Sequence, residues 1–549
     1  MSGQSAPARA DVALTGTVVH RADGGDGRVA HHPSAVRVTL TIGAHARWRA
    51  IPRSFFGFST EYGAPPIDAR HPTLYRRLIS LVHVPGDGPF VLRIGGSSSD
   101  RAFWHDTTHP LPDWAIGLTT AWVRQTSRLV RANRLRVIID LNLITGSSAT
   151  AARWARAAEA QLPRHSIIGF EIGNEPDIYS RRFWRDRIGV SPRQSVTPLS
   201  YTRDYAAYAS ALTGQAAGVP LLGPALAEPR RDHRWIATLL GAPHSDLGSV
   251  SVHEYPFTAC ARPGTPTYPT IGRLLSQRAS AGMAAAIGPA IALARAHGLA
   301  VRATEFNSVT CGGVSGVSES FATALWAPDA LFELARAGIA AAALHVRAFS
   351  NNTPIQFTRH GARVRPLLYG LIMFKRMLGP QSRLIASPLG RWRPAHLKVW
   401  AVRVGAHKLN VLLINKRPQP LDVSLRLPAH APAHVQLLTA PAARSTSGET
   451  LAGQHLDRSL RWRGRPQIAT VARRGSYHVA VPGLSAALVS VTIDPGTLPT
   501  PAPNRTSLLA ASVQHHPRLR QGSSMSTRTS QAGEHLSQVT RPALAAHAS

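Results

Sequence analysis

Two glutamates, each at the C-terminal tip of an apolar run, carry the chemistry this sequence can perform. Glu175 ends Ile167-Ile168-Gly169-Phe170-Glu171-Ile172-Gly173-Asn174-Glu175, and Glu305 ends Ala300-Val301-Arg302-Ala303-Thr304-Glu305. They stand 130 positions apart (175 to 305), about half of a (β/α)8 barrel of roughly 250 residues. A barrel can bring them face to face. Glycoside hydrolysis needs such a pair: a protonated carboxyl gives its proton to the leaving oxygen, and an ionised one attacks the anomeric carbon. A separation of about 5–5.5 Å goes with retention of configuration, and about 6.5–9.5 Å with inversion. Proximity of two like charges raises one pKa and so divides the roles. Asn174, beside Glu175, can bond a sugar 2-hydroxyl. Tyr255, in His253-Glu254-Tyr255-Pro256, can hydrogen-bond the attacking carboxylate and keep it ionised. His253 reads as a wall residue, because the two carboxylates fill both proton-transfer roles. The ordinary alternative for any glutamate is an exposed loop; two glutamates at the ends of apolar runs, with these neighbours, argue against it.

Those tips need elements to hold them. Short β-like runs are Phe55–Thr60, Phe90–Ile94, Arg136–Asn142, Ile167–Ile172, Pro220–Gly223, Ser249–His253, Val301–Glu305 and Ala341–Val346. Helical periodicity lies between several of them, at Thr120–Asn133, Tyr201–Thr213 and Glu319–Ala337. Pro328 is expected to kink or split the last. Eight strands alternating with helices predict a parallel TIM barrel over residues 51–375. An open doubly wound sheet lacks support, since no Gly-x-Gly-x-x-Gly loop follows the first strand. Glu175 then follows strand four and Glu305 ends strand seven, on opposite sides of the C-terminal rim. After Lys375 the pattern turns to short alternating strands with Gly/Pro turns, which predicts an all-β sandwich over residues 376–495. Residues 37–50 contain a strand-like run that can join it. Residues 1–36 and 496–549 read as disordered tails.

The formal net charge of +33 invites a nucleic-acid partner. Lys375, Lys398, Lys408 and Lys416 are the only lysines among 62 basic residues. Arginine is spread along the whole chain together with abundant Ala, Gly and Pro, as in translations of GC-rich genes. No zinc finger, RNA-binding aromatic motif or helix-turn-helix pattern accompanies it. The expected partner is a carbohydrate substrate, with an anionic polysaccharide drawn in by long-range steering, and no nucleic acid. No apolar stretch approaches the roughly 18 residues of a membrane span. Residues 1–36 show no apolar signal-peptide core. No Cys/His cluster suggests a metal, and no cofactor is expected. Cys260 follows strand six and Cys311 follows strand seven, so a disulfide bracing neighbouring rim loops is one reading and two buried thiols the other. A disulfide would suit export, against the missing leader. Localisation and oligomeric state stay open.

Several segments resemble glycoside hydrolase family 79, the heparanase and β-glucuronidase family, within the clan of retaining barrel glycosidases. They are Phe55-Phe56-Gly57-Phe58-Ser59-Thr60-Glu61, Leu92-Arg93-Ile94-Gly95-Gly96-Ser97-Ser98-Ser99-Asp100, Glu171-Ile172-Gly173-Asn174-Glu175-Pro176-Asp177, and Thr304-Glu305-Phe306-Asn307 with Cys311-Gly312-Gly313. Val317–Trp326 and, more loosely, Val481–Val489 also fit, so the resemblance spans roughly residues 37–495. It implies that Glu175 is the acid/base and Glu305 the nucleophile, with Asn174 on the 2-hydroxyl. It places Glu61 and Ser97 on sugar hydroxyls, and Gly312 and Gly313 near the loop whose amides receive a uronate carboxylate. The chain departs from the pattern where the family's carboxylate-binding tyrosines would sit. Thr310 precedes Cys311, and Asn351-Asn352-Thr353-Pro354-Ile355-Gln356-Phe357 follows strand eight.

The expectation is a retaining β-glycosidase, a β-glucuronidase by resemblance, working through a covalent glycosyl-enzyme intermediate. The alternatives are the same machinery on a neutral sugar, or a non-catalytic basic glycan-binding protein on the same scaffold.

Overall fold

The computed structural model describes residues 12–19, 35–42, 46–105, 111–179, 196–213, 218–243, 246–386 and 396–493. Eight parallel strands close into a barrel. They are β1 (Phe56–Glu61), β2 (Val91–Gly95), β3 (Arg136–Leu141), β4 (Ile167–Ile172), β5 (Leu221–Leu226), β6 (Leu247–Glu254), β7 (Ala300–Phe306) and β8 (Ala341–His345). Each neighbours the next, and β8 closes on β1. The architecture is a TIM barrel with a β-sandwich, as the strand pattern predicts.

Local sequence explains the helices between them. Thr119 caps Thr120–Asn133 by accepting the Trp122 N–H, and Ser147 with Thr150 forms a capping box on Ser148–Gln161. The helix is not split at Pro328: Phe321–Ala337 is one helix. It is buried along nearly its whole length and packs on Pro366–Met377, so tertiary burial outweighs the missing N–H. At their crossing a Cβ on Gly370 would stand 2.4 Å from the Ala324 carbonyl oxygen, so only glycine admits this approach.

The sandwich has a sheet of Val12–Val19, Ala35–Ile42, Leu421–Arg426 and Tyr477–Val481 facing a larger one built around Leu397–Val404, Lys408–Asn415 and Ser485–Thr492. Ala35–Ile42 pairs in parallel with Leu421–Arg426, so the N-terminal strand crosses to the distant module. Residues 1–36 are therefore not wholly disordered. Val12–Val19, rich in Val and Thr, pairs antiparallel with Ala35–Ile42. The expected tail 496–549 lies outside the described residues.

Barrel and sandwich meet over a buried ionic cluster. Asp329, on the Phe321–Ala337 helix, accepts from Lys416 Nζ (2.7 Å), Ser280 Oγ (2.6 Å) and Trp400 Nε1 (3.0 Å). Burial alone would raise its carboxyl, but Lys416 and Lys398 hold it at about 2. Among the described residues no helix is long and apolar enough to cross a membrane.

Candidate active site

The strand register brings a charged cluster into the barrel. Ser59 pairs with Arg93, Asp140 with Glu171, and His253 with Glu305. Arg93 is fully buried and spends its donors on three carboxylates: Nε on Glu171 (2.7 Å), Nη1 on Glu305 (2.9 Å) and Nη2 on Asp140 (2.9 Å). Nη2 also reaches Asn174 Oδ1 at 3.1 Å. A Cβ on Gly95, two residues on, would lie 2.8 Å from the guanidinium carbon, so the small residue leaves Arg93 its room.

Glu305 sits at the centre of this network. Tyr255 Oη donates to its Oε1 at 2.6 Å, Arg93 donates to Oε2, and His345 Nδ1 lies 3.3 Å from Oε2. Burial pushes the carboxyl up, but His345, His253, Arg93 and the Tyr255 hydroxyl outweigh it and bring it to about 2. Glu305 is therefore an ionised carboxylate at neutral pH.

Glu175 follows β4 on a turn whose backbone is left-handed at Gly173 (φ 80°) and at Glu175 itself (φ 51°). The turn is fixed on two sides. The Glu175 N–H donates to the Ala225 carbonyl of β5, and the Asn174 N–H donates to Tyr179 Oη, which donates onward to Asp100. Glu175 is more open than Glu305, with 17% against 9% side-chain exposure, and so is better placed to exchange protons with water. One carboxylate oxygen of Glu175, one of Glu305 and a ring nitrogen of His253 lie within 4.8 Å of one another.

A third carboxylate, Glu61, ends β1. It accepts the Ser98 N–H (2.8 Å) and the Ser97 hydroxyl (3.4 Å), and pairs with Arg347 Nε (3.3 Å). Burial raises its carboxyl, but His345 and Arg347 prevail and hold it at about 2. Gly96 (φ 72°) permits the close approach: a Cβ there would sit 2.9 Å from the Glu61 carboxylate.

Glu61, Ser97, Asn174, Glu175, Tyr255, Glu305, Cys260, Cys311 and Gly312 all border one cavity of about 1110 Å³ at the C-terminal rim. That is room for several sugar rings. Cys260 and Cys311 form a disulfide with a Cα–Cα distance of 6.0 Å, joining the loops after β6 and β7. Gly313 is not on the cavity wall. Its N–H donates to the Thr310 carbonyl, and a Cβ there would meet Ser318 Oγ at 2.6 Å, so the expected pair of amides reduces to Gly312.

The wall role expected for His253 also needs correction. Its Nδ1 lies 3.0 Å from Glu175 Oε1, and its basicity is raised by Glu305 and Glu175 against the opposing effect of burial. Arg93, Asp140, Glu171, His345 and Arg347 join the site without having been singled out in the sequence. Their signal was there: Arg93, Asp140 and Glu171 are charges inside apolar strand runs, where they persist only as partners of one another. Glu175, His253 and Glu305 are also near enough together to hold a cation, although the sequence names no metal ligand.

No protein-family model matches the chain, and no curated protein does. Solved structures share its fold. A 4-O-α-L-rhamnosyl-β-D-glucuronidase from Fusarium oxysporum aligns with TM-score 0.65 at 19% identity, over 82% of this chain and 100% of that chain. An α-L-arabinofuranosidase from Thermotoga maritima aligns with TM-score 0.58 at 14% identity, over 82% and 99%. CelM2, a bifunctional glucanase-xylanase from a metagenome library, aligns with TM-score 0.53 at 14% identity, over 83% and 99%. At these identities the likeness is one of fold.

Proposed function

We propose that this protein is a retaining β-glycosidase that cleaves β-glucuronides. The observation that carries the reading is the unequal carboxylate pair. Glu305 is held ionised by Tyr255, Arg93 and His345, while an oxygen of the more open Glu175 lies within 4.8 Å of it. That approach suits the short separation of retaining enzymes, about 5–5.5 Å between carboxyl groups. Glu305 attacks the anomeric carbon as the bond to the leaving oxygen breaks, and the Glu175 proton goes to that oxygen. A water then gives its proton to Glu175 and displaces Glu305 from the glycosyl ester. Asn174, Glu61 and Ser97 bind sugar hydroxyls in this reading.

The glucuronide part rests on the motif resemblance to family 79 and on fold likeness to the rhamnosyl-glucuronidase. One observation favours a neutral sugar instead: Thr310 and Asn352 border the cavity where carboxylate-binding tyrosines would be expected. A panel of aryl β-glycosides tests both. Turnover of the glucuronide, abolished in Glu305→Ala, is expected. Turnover of neutral glycosides alone would select the second reading, and turnover of none would overturn both.

A further inference from the structure

Strand β8 stands diametrically opposite β4 in the eight-stranded barrel. Arg347, two residues past β8, is thus across the mouth from Glu175. A leaving group lies beside its proton donor, so the glycone extends towards β8 and β1. On that flank the described cavity wall includes Glu61, Ser97, His345, Arg347, Gly312 and Asn352. Arg347 is its only guanidinium. The other cavity arginines, Arg230, Arg231 and Arg278, follow β5 and β6.

The electrostatics of this flank oppose an anionic sugar. Glu61 and Glu305 are both ionised carboxylates, and a third carboxylate near them is repelled unless a cation offsets it. Arg347 Nε is tied to Glu61 Oε1 at 3.3 Å, and the side chain is 37% exposed. Its two terminal nitrogens have no partner among the described residues. Glu61 thereby orients a fork of donors while leaving its outer edge open, the geometry that matches a carboxylate.

We propose that Arg347 is the residue that selects a uronate glycone, receiving the sugar carboxylate on its terminal nitrogens while Glu61 fixes the guanidinium. This rests on the glycosidase reading above and names the group that discriminates charge there. It also accounts for an anion site without the tyrosines expected of the loops at Thr310 and Asn352.

The test compares the wild type with Arg347→Gln and Arg347→Lys on an aryl β-glucuronide, its neutral C6 amide and the aryl β-glucoside. In Arg347→Gln, kcat/KM on the glucuronide should fall about 100-fold or more, mainly through KM, and the neutral substrates, which feel the change only through Glu61, should lose at least about tenfold less. Arg347→Lys should restore part of the preference by returning the charge without the fork. Equal losses on charged and neutral substrates would overturn the proposal and leave Arg347 as a clamp on Glu61. An unchanged preference would overturn it as well. If Arg347→Gln folds poorly by thermal melting, Arg347→Lys decides: it must shift the charged-to-neutral ratio, since a structural role would leave that ratio unmoved. A wild type that cleaves only neutral glycosides fails the glucuronidase reading itself, whereas a wild-type glucuronidase with an unaltered ratio in both variants fails this inference alone.

Discussion

The hydroxyl of Tyr255, at the end of β6, donates to Oε1 of Glu305 on β7 over 2.6 Å. This bond spans two neighbouring strands and is stronger to the ionised form of the carboxyl than to the neutral one. Tyr255→Phe removes one donor and keeps the ring. Loss of a donor to the charged form raises a carboxyl pKa, so Glu305 moves up from about 2. The acid limb of kcat/KM should shift to higher pH, and kcat should fall about 10²- to 10³-fold, the scale of losing one preorganised donor. A pH–rate profile from about pH 2 to 8 checks both. An unmoved acid limb would show that Tyr255 does not control Glu305.

Glu175 is expected to matter most when the leaving group is basic. A nitrophenolate needs little protonation and an alkyl alcohol needs much. Glu175→Ala should therefore cost about 10²- to 10⁴-fold on an alkyl glycoside and far less in the glycosylation of Glu305 by a nitrophenyl glycoside. Added azide should restore turnover of the nitrophenyl substrate by entering the vacated space and replacing the activated water. The same loss on both substrates, with no effect of azide, would remove Glu175 from the acid/base role.

Asp329 links barrel and sandwich rather than touching substrate. Asp329→Asn leaves Lys416, with 2% side-chain exposure, without its counter-charge. The cost at pH 7 should be about 3–5 kcal/mol, read from urea midpoints. The sign of its pH dependence follows from the depressed folded pKa of about 2 against 3.8. Stabilisation by Asp329 is fully present above pH 3.8 and is lost as pH falls towards 2. The difference between wild type and variant should shrink over that interval. A constant difference would mean that lost packing, not charge, sets the cost.

The disulfide between Cys260 and Cys311 closes 51 residues of chain. Loop-closure entropy assigns it about 4 kcal/mol, and it borders the cavity. Replacing both cysteines by serine should lower the urea midpoint and raise KM more than it lowers kcat. Unchanged stability and KM would mean that the loops hold themselves.

What was legible in the sequence followed from local pattern. Strands such as Ile167–Ile172 and Val301–Glu305 stand within a residue or so of β4 and β7, because period, flanking glycine and strand length agree there. Glu175 and Glu305 stand out because they terminate such runs. Arg93 was harder, since its meaning depends on Asp140, Glu171 and Glu305 from three other strands, which only closure of the barrel brings together. The contact of His253 is hidden for a similar reason: its distance to Glu175 depends on a left-handed turn that the sequence shows only as Gly173-Asn174-Glu175. The orientation of Gly313 is hidden too, because hydrogen-bond direction within a turn is not written in Gly-Gly. Val12–Val19 pairs with a strand beyond a stretch of polar residues, so no local window exposed it.

In the proposed reaction Glu305 forms a covalent bond to the sugar with Glu175 assisting. Proton NMR of the first product released from an aryl β-glucuronide, recorded before mutarotation, tests it most directly. The β-anomer is expected to appear first and the α-anomer only later. If the α-anomer appears first, Glu305 is not a nucleophile and the double-displacement account is wrong.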